Sequence, residues 1–235
     1  MKTTPYSLHP ARRRPEFKGQ WESATWKKAP VLEISHFRPE SSSHRPLTRA
    51  KLLYSIDGLY GLFRVQDRYV RCVHRRYQDP VYNDSCVEFF VQPIREKGYF
   101  NFEFNCGGAL RASYIEDPTR SGSGFRSFKR LTKQEGRQVA IYHSLPPRID
   151  PEWDEETTWY LEFYVPHQLM EKYTGPVDIS PGSIWRCNLF KCADQTSHPH
   201  WAAWSAVDDL NFHLPHCFGV MEFMTTAEPD AAPLS

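Results

Sequence analysis

The sequence predicts an all-β protein: an antiparallel, jelly-roll-like β-sandwich with one short helix and long loops. Short runs of aromatic and β-branched residues recur along the chain, separated by Gly, Pro, Asn and Asp turn signals. The run from Tyr99 to Asn105 alternates, with phenylalanines on one face and polar residues on the other. At 235 residues, 14% of them aromatic, the chain is long enough for one large domain with a sizeable core.

The strands follow one another with turn signals between them. Asp57-Gly58 is a hairpin-turn dipeptide, and Gly107-Gly108 marks a second turn. A proline at the first turn and Gly175 just past the end predict a helix over residues 166–173. The predicted strands are residues 31–34, 50–55, 59–65, 86–91, 99–105, 110–115, 139–144, 158–165, 184–191 and 218–223.

Composition divides the chain into three parts. Residues 1–45, rich in Pro, Ser, Arg and His, are predicted to be a partly irregular N-terminal extension. Residues 46–224 are predicted to form the sandwich, and residues 225–235 a disordered tail. Within the sandwich, DPTRSGSGF predicts a long mobile loop over residues 116–130, and PPRIDPEWDEE predicts a second polar loop.

Charge and hydropathy exclude several classes of partner. A formal net charge of +1 argues against a broad basic surface for nucleic acid. No apolar stretch approaches the ~18 residues that membrane insertion requires. The N-terminus lacks the apolar core of a secretory signal, so the chain as written is predicted to be cytoplasmic. The oligomeric state stays open.

The cysteines and histidines do not form a recognisable metal motif. No Cys-x-x-Cys pair occurs, so reduced cysteines are predicted, with one disulfide left open. Histidines 198, 200, 213 and 216 match no zinc-site spacing. The cysteines are Cys72, Cys86, Cys106, Cys187, Cys192 and Cys217.

The segment DPVYNDSCVEFFVQP, residues 79–93, combines an aromatic residue with a carboxylate. If Val87 and Phe89 face the core, Glu88 lies on the opposite face of the sheet, and Tyr82 lies in the preceding loop. An aromatic ring stacks on the apolar face of a pyranose, while a carboxylate accepts hydrogen bonds from its hydroxyls. This pairing favours sugar binding, and an exposed strand glutamate is the simpler interpretation.

Two further segments add polar and aromatic side chains. YFNFEFNCGG places Asn101, Glu103 and Asn105 in one row, which also fits a solvated outer face. Glu88 and Glu103 on adjacent strands are the carboxylate pair that a glycoside hydrolase requires. The stretch from residue 184 to 223 concentrates Trp, His and Asp in a long connection typical of binding loops.

Four segments in order, DPVYNDSCVEFFVQP, YFNFEFNCGG, WRCNLFKCAD and WAAWSAV with NFHLPHCFGVMEF, resemble the family 9 carbohydrate-binding modules, in particular their family-9-like bacterial branch. The similarity covers roughly residues 50–223. It implies an antiparallel β-sandwich with a sugar slot between two aromatic rings. Tyr82 and Phe212 stand where the best-understood modules have tryptophans, Glu88 matches the sugar-binding carboxylate, and Asn101 matches a polar contact.

The resemblance implies further contacts with less certain positions. Lys191 and Asp209 fall near other polar contacts, and a register slip by one residue favours Asn188 over Lys191. Trp201 and Trp204 are alternative stacking residues, Trp204 resembling a structural position. Family members also carry structural calcium, for which turn aspartates 57, 67, 79 and 84 are candidates, although no ligand spacing defines a site.

The predicted function is non-catalytic binding of a mono- or oligosaccharide, with one sugar ring between Tyr82 and Phe212. Glu88 and Asn101 take its hydroxyls. Tyr and Phe offer smaller stacking surfaces than Trp, so an interaction domain that has lost sugar binding is one alternative. A glycoside hydrolase is the other, although the chain contains no GxSxG, P-loop or dinucleotide motif.

Overall fold

The computed structural model describes residues 4–122 and 124–225, and it is mostly β-structure. The strands are β1 (Tyr6–Pro10), β2 (Leu32–Ile34), β3 (His36–Phe37), β4 (Leu47–Tyr54), β5 (Gly58–Asp67), β6 (Val70–Cys72), β7 (Cys86–Gln92), β8 (Tyr99–Asn105), β9 (Leu110–Ser121), β10 (Gly124–Arg130), β11 (Ala140–His143), β12 (Ile149–Trp153), β13 (Thr157–Pro166), β14 (Ile184–Cys192), β15 (Trp201–Ala203) and β16 (Gly219–Phe223). The helices are α1 (Lys133–Gly136) and α2 (His167–Thr174). Neither helix of the described residues is long and apolar enough to cross a membrane.

Most of the strands form two sheets that share an N-terminal strand, while β6 and β12 form a separate two-stranded sheet. The front sheet has the order β10-β9-β8-β7-β14-β16, and β15 pairs with the end of β14 and with β3. The back sheet has the order β4-β5-β13-β11, with β2 on the other side of β4. β1 runs parallel to β16 through its first residues and parallel to β4 through its last two, so it connects the sheets.

The core lies between the inner faces of these sheets. The ring centroid of Phe163 on β13 lies 5.3 Å from that of Phe89 on β7 and 5.2 Å from that of Phe104 on β8. All three rings are fully buried. Because side chains alternate along a strand, burying Phe89 and Phe104 here directs Glu88 and Glu103 to the outer face of the front sheet. The predicted sandwich is therefore confirmed.

Two segments predicted as loops are strands. Residues 116–130 continue β9 and return as β10, with a turn around Gly122, so they form a long hairpin. PPRIDPEWDEE contains β12, which pairs with β6. Turn-forming residues dominate both sequences, yet the two arms of the hairpin pair with each other and β12 pairs with β6, which is distant in sequence. Residue propensity reports neither pairing.

The described part of the N-terminal segment is packed into the domain. β1, β2 and β3 join the sheets, and Trp21 and Trp26 are buried against the outer face of the back sheet. The Gly19 amide and the Trp26 indole N–H donate to the two carboxylate oxygens of Glu162, at 2.9 and 3.1 Å. The segment set apart as residues 1–45 therefore contributes to both sheets, while most of the predicted disordered tail, residues 226–235, lies outside the described residues.

Trp26→Phe tests whether this segment unfolds together with the sandwich. The substitution removes one donor from the buried carboxylate of Glu162, so we expect the free energy of unfolding to fall by about 1–3 kcal/mol. Urea denaturation followed by circular dichroism and by fluorescence should give one coincident transition. A separate early transition in the wild-type protein would instead show that the segment unfolds independently.

Candidate functional site

A cavity of about 430 Å³ lies over the outer face of the front sheet. Its volume is within the usual range of small-molecule sites, about 300–1,000 Å³. β7, β8 and β9 form its floor, the β9–β10 hairpin forms one wall, and the loops around residues 82, 194 and 212 complete it. The lining residues are Tyr82, Glu88, Asn101, Glu103, Arg111, Ser113, Arg120, Gly124, Phe125, Phe128, Arg130, Cys192, Asp194, Trp201, Leu210, Asn211, Phe212 and His213.

The pairing register of β7, β8 and β9 determines which side chains meet on the polar floor of the cavity. Glu88 on β7 lies directly opposite Glu103 on β8, and Glu103 lies opposite Arg111 on β9. Asn101 is opposite Ser113 in the same pair of strands. Since residues two apart share a face, these side chains form a continuous polar patch on the side of the sheet away from the core.

Two buried oxygens on this floor have unused hydrogen-bonding capacity. The Asn101 amide nitrogen donates to Glu103 Oε1, and Arg111 Nε lies 3.7 Å from Glu103 Oε2. Asn101 Oδ1 and Glu103 Oε2 have no hydrogen-bond partner among the described residues, although both residues are at most 4% exposed. Unpaired buried polar atoms are costly, so these two acceptors indicate a place for a ligand's donors.

The floor carboxyls titrate abnormally. Burial, followed by the charge of Glu103, raises the pKa of Glu88 well above its usual range. Burial also raises the pKa of Glu103, to about 7, although Arg111 and the Asn101 amide oppose the rise. Asp194 has a raised pKa for the same first reason. Such perturbed groups in a cleft are typical of functional sites.

The walls supply aromatic rings in fixed positions. Phe212 stacks on Phe190, with ring centroids 4.0 Å apart, so one of its faces is covered by protein. The Trp201 indole N–H donates to Asp194 Oδ1 at 2.7 Å, which holds that ring in place. The Arg111 guanidinium lies 5.5 Å from the centroid of the Tyr82 ring.

His213 closes the cavity as a neutral ring. Its Nδ1 is 2.9 Å from the Tyr99 hydroxyl. Burial, and then the charges of Arg120 and Arg111, lower the pKa of His213 to about 3, so the imidazole carries no charge at neutral pH. Phe125 packs near it, with ring centroids 4.4 Å apart. The wall here therefore combines neutral aromatic rings with the Arg120 guanidinium, which lies 4.6 Å from the centroid of the Phe125 ring.

Four of the six predicted site residues come together in this cavity and two do not. Tyr82, Glu88, Asn101 and Phe212 line it, and their contact with sugar stays a prediction. Lys191 is opposite Val87 on the core-facing side of β14 and is fully buried between the sheets. Asp209 is exposed in its loop and accepts from the Leu210 amide at 2.7 Å.

Of the alternative site residues named from the sequence, some line the cavity and others do not. Asn188 is fully buried and donates to the Ser205 carbonyl at 2.8 Å, so it does not replace Lys191 in the cavity. Trp201 lines the cavity, whereas the Trp204 ring packs over Gly219, whose backbone it closely approaches. Asn105 leaves the polar row to bond with Asp84 and the His74 carbonyl.

Sequence reasoning did not single out Arg111, Arg120, Asp194 or Phe125. Arg111 could have been predicted from the sequence, because a hairpin that turns at Gly107-Gly108 brings it opposite Glu103. Arg120 and Phe125 belong to the hairpin that was predicted as a loop. Asp194 is fixed by contacts between loops, for which the sequence carries no periodic signal.

Asp79 and Asp84, two of the four turn aspartates named as calcium candidates, accept hydrogen bonds from backbone amides, and the calcium site stays a prediction. Asp84 accepts from the Val73 and His74 amides, and Asp79 accepts from the Arg75 and Arg76 amides. Among the described residues, aspartates 57, 67, 79 and 84 are not part of any group of three clustered metal donors. All six cysteines are free thiols, and Cys86, Glu88 and Cys192 form one group that could hold a metal.

The chain belongs to carbohydrate-binding family 9. The family model matches residues 21–223, which is most of the chain and includes every residue that lines the cavity. Comparison with curated protein sequences gives no match.

Solved structures of low sequence identity share the fold. A protein from Bacteroides uniformis, whose proposed role is carbohydrate binding, superposes with a TM-score of 0.79 at 22% identity, covering 94% of this chain and 99% of that one. A family 9 module from Caldicellulosiruptor kristjanssonii in complex with glucose gives 0.63 at 12% identity, covering 95% and 98%. The same organism's module in complex with cellotriose gives 0.59 at 12% identity, covering 97% and 99%.

Proposed function

We propose that this chain binds a pyranose, either a monosaccharide or the end of an oligosaccharide, in the cavity over the front sheet. The observation that carries the proposal is the floor, where two buried acceptor oxygens, Asn101 Oδ1 and Glu103 Oε2, lack partners among the described residues. Sugar hydroxyls are donors that such acceptors need, and Trp201, Tyr82 and Phe212 provide ring surfaces beside them.

The relatives support the choice of ligand class. The structures that share this fold include modules in complex with glucose and with cellotriose. A sugar presents an apolar face and a rim of hydroxyls, which matches a cavity with aromatic walls and a charged floor. Arg111 adds a donor that can bond a hydroxyl or ring oxygen, so the floor both accepts and donates.

We also propose that binding is not accompanied by hydrolysis. Glu88 and Glu103 are neighbours on one floor, directly opposite each other across paired strands. A neighbouring carboxyl pair also occurs in glycoside hydrolases, so the proposal rests on the family, which is one of carbohydrate binding, and on the binding modules that share the fold. Incubation with aryl glycosides and oligosaccharides should therefore release no reducing sugar, and release that is lost in both Glu88→Gln and Glu103→Gln would identify a hydrolase.

Calorimetric titration with a sugar panel tests the proposal. The panel contains glucose, galactose, mannose, xylose, cellobiose, cellotriose and glucuronate, and we expect at least one to bind the wild-type protein. Trp201→Ala should lower the affinity for that sugar about tenfold, because losing a stacking ring removes about 1–2 kcal/mol of binding free energy. Tyr82→Ala and Phe212→Ala measure which second ring contributes.

Tyr142→Ala is the matched control. Tyr142 is a half-buried aromatic residue on β11, the edge strand of the back sheet. The Tyr142→Ala protein should therefore bind sugar as the wild type does. If no sugar in the panel binds, or if Trp201→Ala, Tyr82→Ala and Phe212→Ala all bind normally, the cavity is not the sugar site. An interaction domain of the same fold would then be the better description.

A further inference from the structure

Two cysteines and a glutamate meet where β7 and β14 pair beside the cavity. Cys86 and Cys192 are directly opposite residues of the two strands, and Glu88 is two residues further along β7 on the same face. Donor atoms of all three lie within 4.8 Å of one another. Cys192 Sγ is 3.2 Å from Glu88 Oε1.

We propose that Cys86, Cys192 and Glu88 bind one thiophilic divalent cation, such as Zn²⁺, with a fourth position directed toward the cavity. Zinc–ligand bonds of about 2.0–2.3 Å in tetrahedral geometry place donor atoms roughly 3.5–3.8 Å apart. The three donors need only small rotations to reach that spacing. Two sulfurs and one oxygen select a soft or borderline metal over calcium, which prefers oxygen ligands.

The surroundings favour a cation at this point. The three residues are at most 3% exposed, and Glu88 has no salt-bridge partner among the described residues. A buried carboxylate without a counter-charge is costly, and a divalent cation supplies that charge. Glu88 and Cys192 line the cavity, which provides an entry path and space for an exchangeable fourth ligand.

A second cluster of possible metal ligands must be distinguished from this one. Asp208, His216 and Cys217 also cluster, but their loop is largely exposed, and His216 Nε2 is already 2.8 Å from Asp208 Oδ2. It offers one thiolate, whereas the cavity group offers two. The number of thiolates bound to the metal therefore reports which group is occupied.

Titration of the reduced, metal-free protein with Cd²⁺ tests the assignment through the ultraviolet thiolate-to-cadmium charge-transfer band. We expect one ion per chain with the intensity of two thiolates. Cys86→Ala and Cys192→Ala should each lose about half of the band and weaken binding more than about 100-fold, since even outer-shell changes cost 10–100-fold. Glu88→Gln should keep the band and weaken binding.

Cys217→Ala is the matched control and should titrate as the wild type does. Loss of the band in Cys217→Ala alone would assign the metal to the exposed loop and overturn the proposal. So would the absence of any two-thiolate band in wild-type protein whose six thiols are shown to be reduced. A Cys86–Cys192 disulfide, found by mass spectrometry in protein purified without reductant, would make the pair a redox element instead.

If the proposed sugar site is correct, metal and sugar compete for Glu88. Binding of one should then lower the affinity for the other by the same factor. Sugar titration with and without saturating Zn²⁺ measures this factor, and Cys192→Ala should abolish it. The cadmium experiment contains no sugar, so failure of the sugar site leaves its outcome unchanged.

Discussion

Lys191→Met is expected to lower the free energy of unfolding by about 3–5 kcal/mol, because it leaves a buried carboxylate without its main counter-charge. Lys191 Nζ is 3.4 Å from Asp67 Oδ2, and both side chains are fully buried. Asp67 also contacts His44 Nε2 at 2.8 Å and accepts from the Trp159 indole at 3.3 Å. These contacts join β14 of the front sheet to β5 of the back sheet.

His200 is a neutral member of this cluster. Lys191 Nζ lies 2.8 Å from His200 Nε2, so the neutral imidazole accepts from the ammonium while its Nδ1–H donates to the His198 carbonyl at 2.8 Å. Burial and the charge of Lys191 lower the pKa of His200 to about 3. Burial alone would raise the pKa of Asp67, but Lys191 and His44 outweigh it and hold that pKa well below its usual range.

The pH dependence follows from these two shifts. Asp67 has a lowered folded pKa, so its contribution is present above its unfolded value near 4 and is lost as pH falls further. His200 contributes above its unfolded value near 6.5 and loses that contribution as pH falls toward 3. Both groups make the wild-type protein less stable in acid, and Lys191→Met should show a smaller acid-induced loss.

Urea denaturation at pH 7.5, where the loss in Lys191→Met is read, and at pH 4.5 and about pH 3, where the His200 and then the Asp67 contributions are lost, measures these effects. Lys18→Met is the control, since Lys18 pairs with Glu16 through two exposed side chains and the free energy of unfolding should stay at its wild-type value. The double variant with Asp67→Asn should lose less than the sum of the single losses. A Lys191→Met protein within about 1 kcal/mol of wild type at pH 7.5 would contradict this account.

The role of Lys191 illustrates what strand periodicity can and cannot predict. β8 alternates aromatic and polar residues, so its limits and its outward face were predicted correctly, as was the outward direction of Glu88 on β7. β14 carries apolar residues on both faces because loops cover its outer side, and Trp185 and Phe190 are equally buried. The face of Lys191 therefore cannot be read from the pattern.

Other parts of the site depend on strand pairings that residue type does not indicate. The β9–β10 hairpin is held by partners such as Ile115 with Phe128, while its sequence is full of turn-forming residues. The opposition of Cys86 and Cys192 needs the register of two strands that are about a hundred residues apart. Residue propensity carries neither piece of information, so Phe125 of the hairpin and the thiol pair were missed.

Glu103→Gln is expected to make the protein more stable and a weaker sugar binder, with both effects growing as pH rises. The folded pKa of Glu103 is about 7 against an ordinary 4.5, chiefly because of burial. The folded state therefore binds more protons than the unfolded state between these values, and the free energy of unfolding falls as pH rises through that window. At 1.36 kcal/mol per pKa unit, the penalty reaches about 3 kcal/mol above pH 7.

Glutamine keeps the shape of the side chain and removes the titration. We expect Glu103→Gln to exceed wild-type stability by about 3 kcal/mol at pH 8 and to match it near pH 4.5. Glu96→Gln, at an exposed position, should follow the wild type at both pH values. Urea denaturation across this range gives the comparison, and an unchanged difference between pH 4.5 and pH 8 would contradict the raised pKa.

Sugar affinity should change in the opposite direction. In the proposed site, ionised Glu103 would accept charge-assisted hydrogen bonds from sugar hydroxyls, worth about 1.5–3 kcal/mol each. Wild-type affinity should then rise about tenfold or more as pH passes through 7. Glu103→Gln should bind about 10–100-fold more weakly at pH 8 and show no such rise. A residue that destabilises the fold at the pH where it strengthens binding is retained for its ligand rather than for stability. Wild-type affinity that is independent of pH would instead show that the unpaired oxygen of Glu103 faces no sugar hydroxyl.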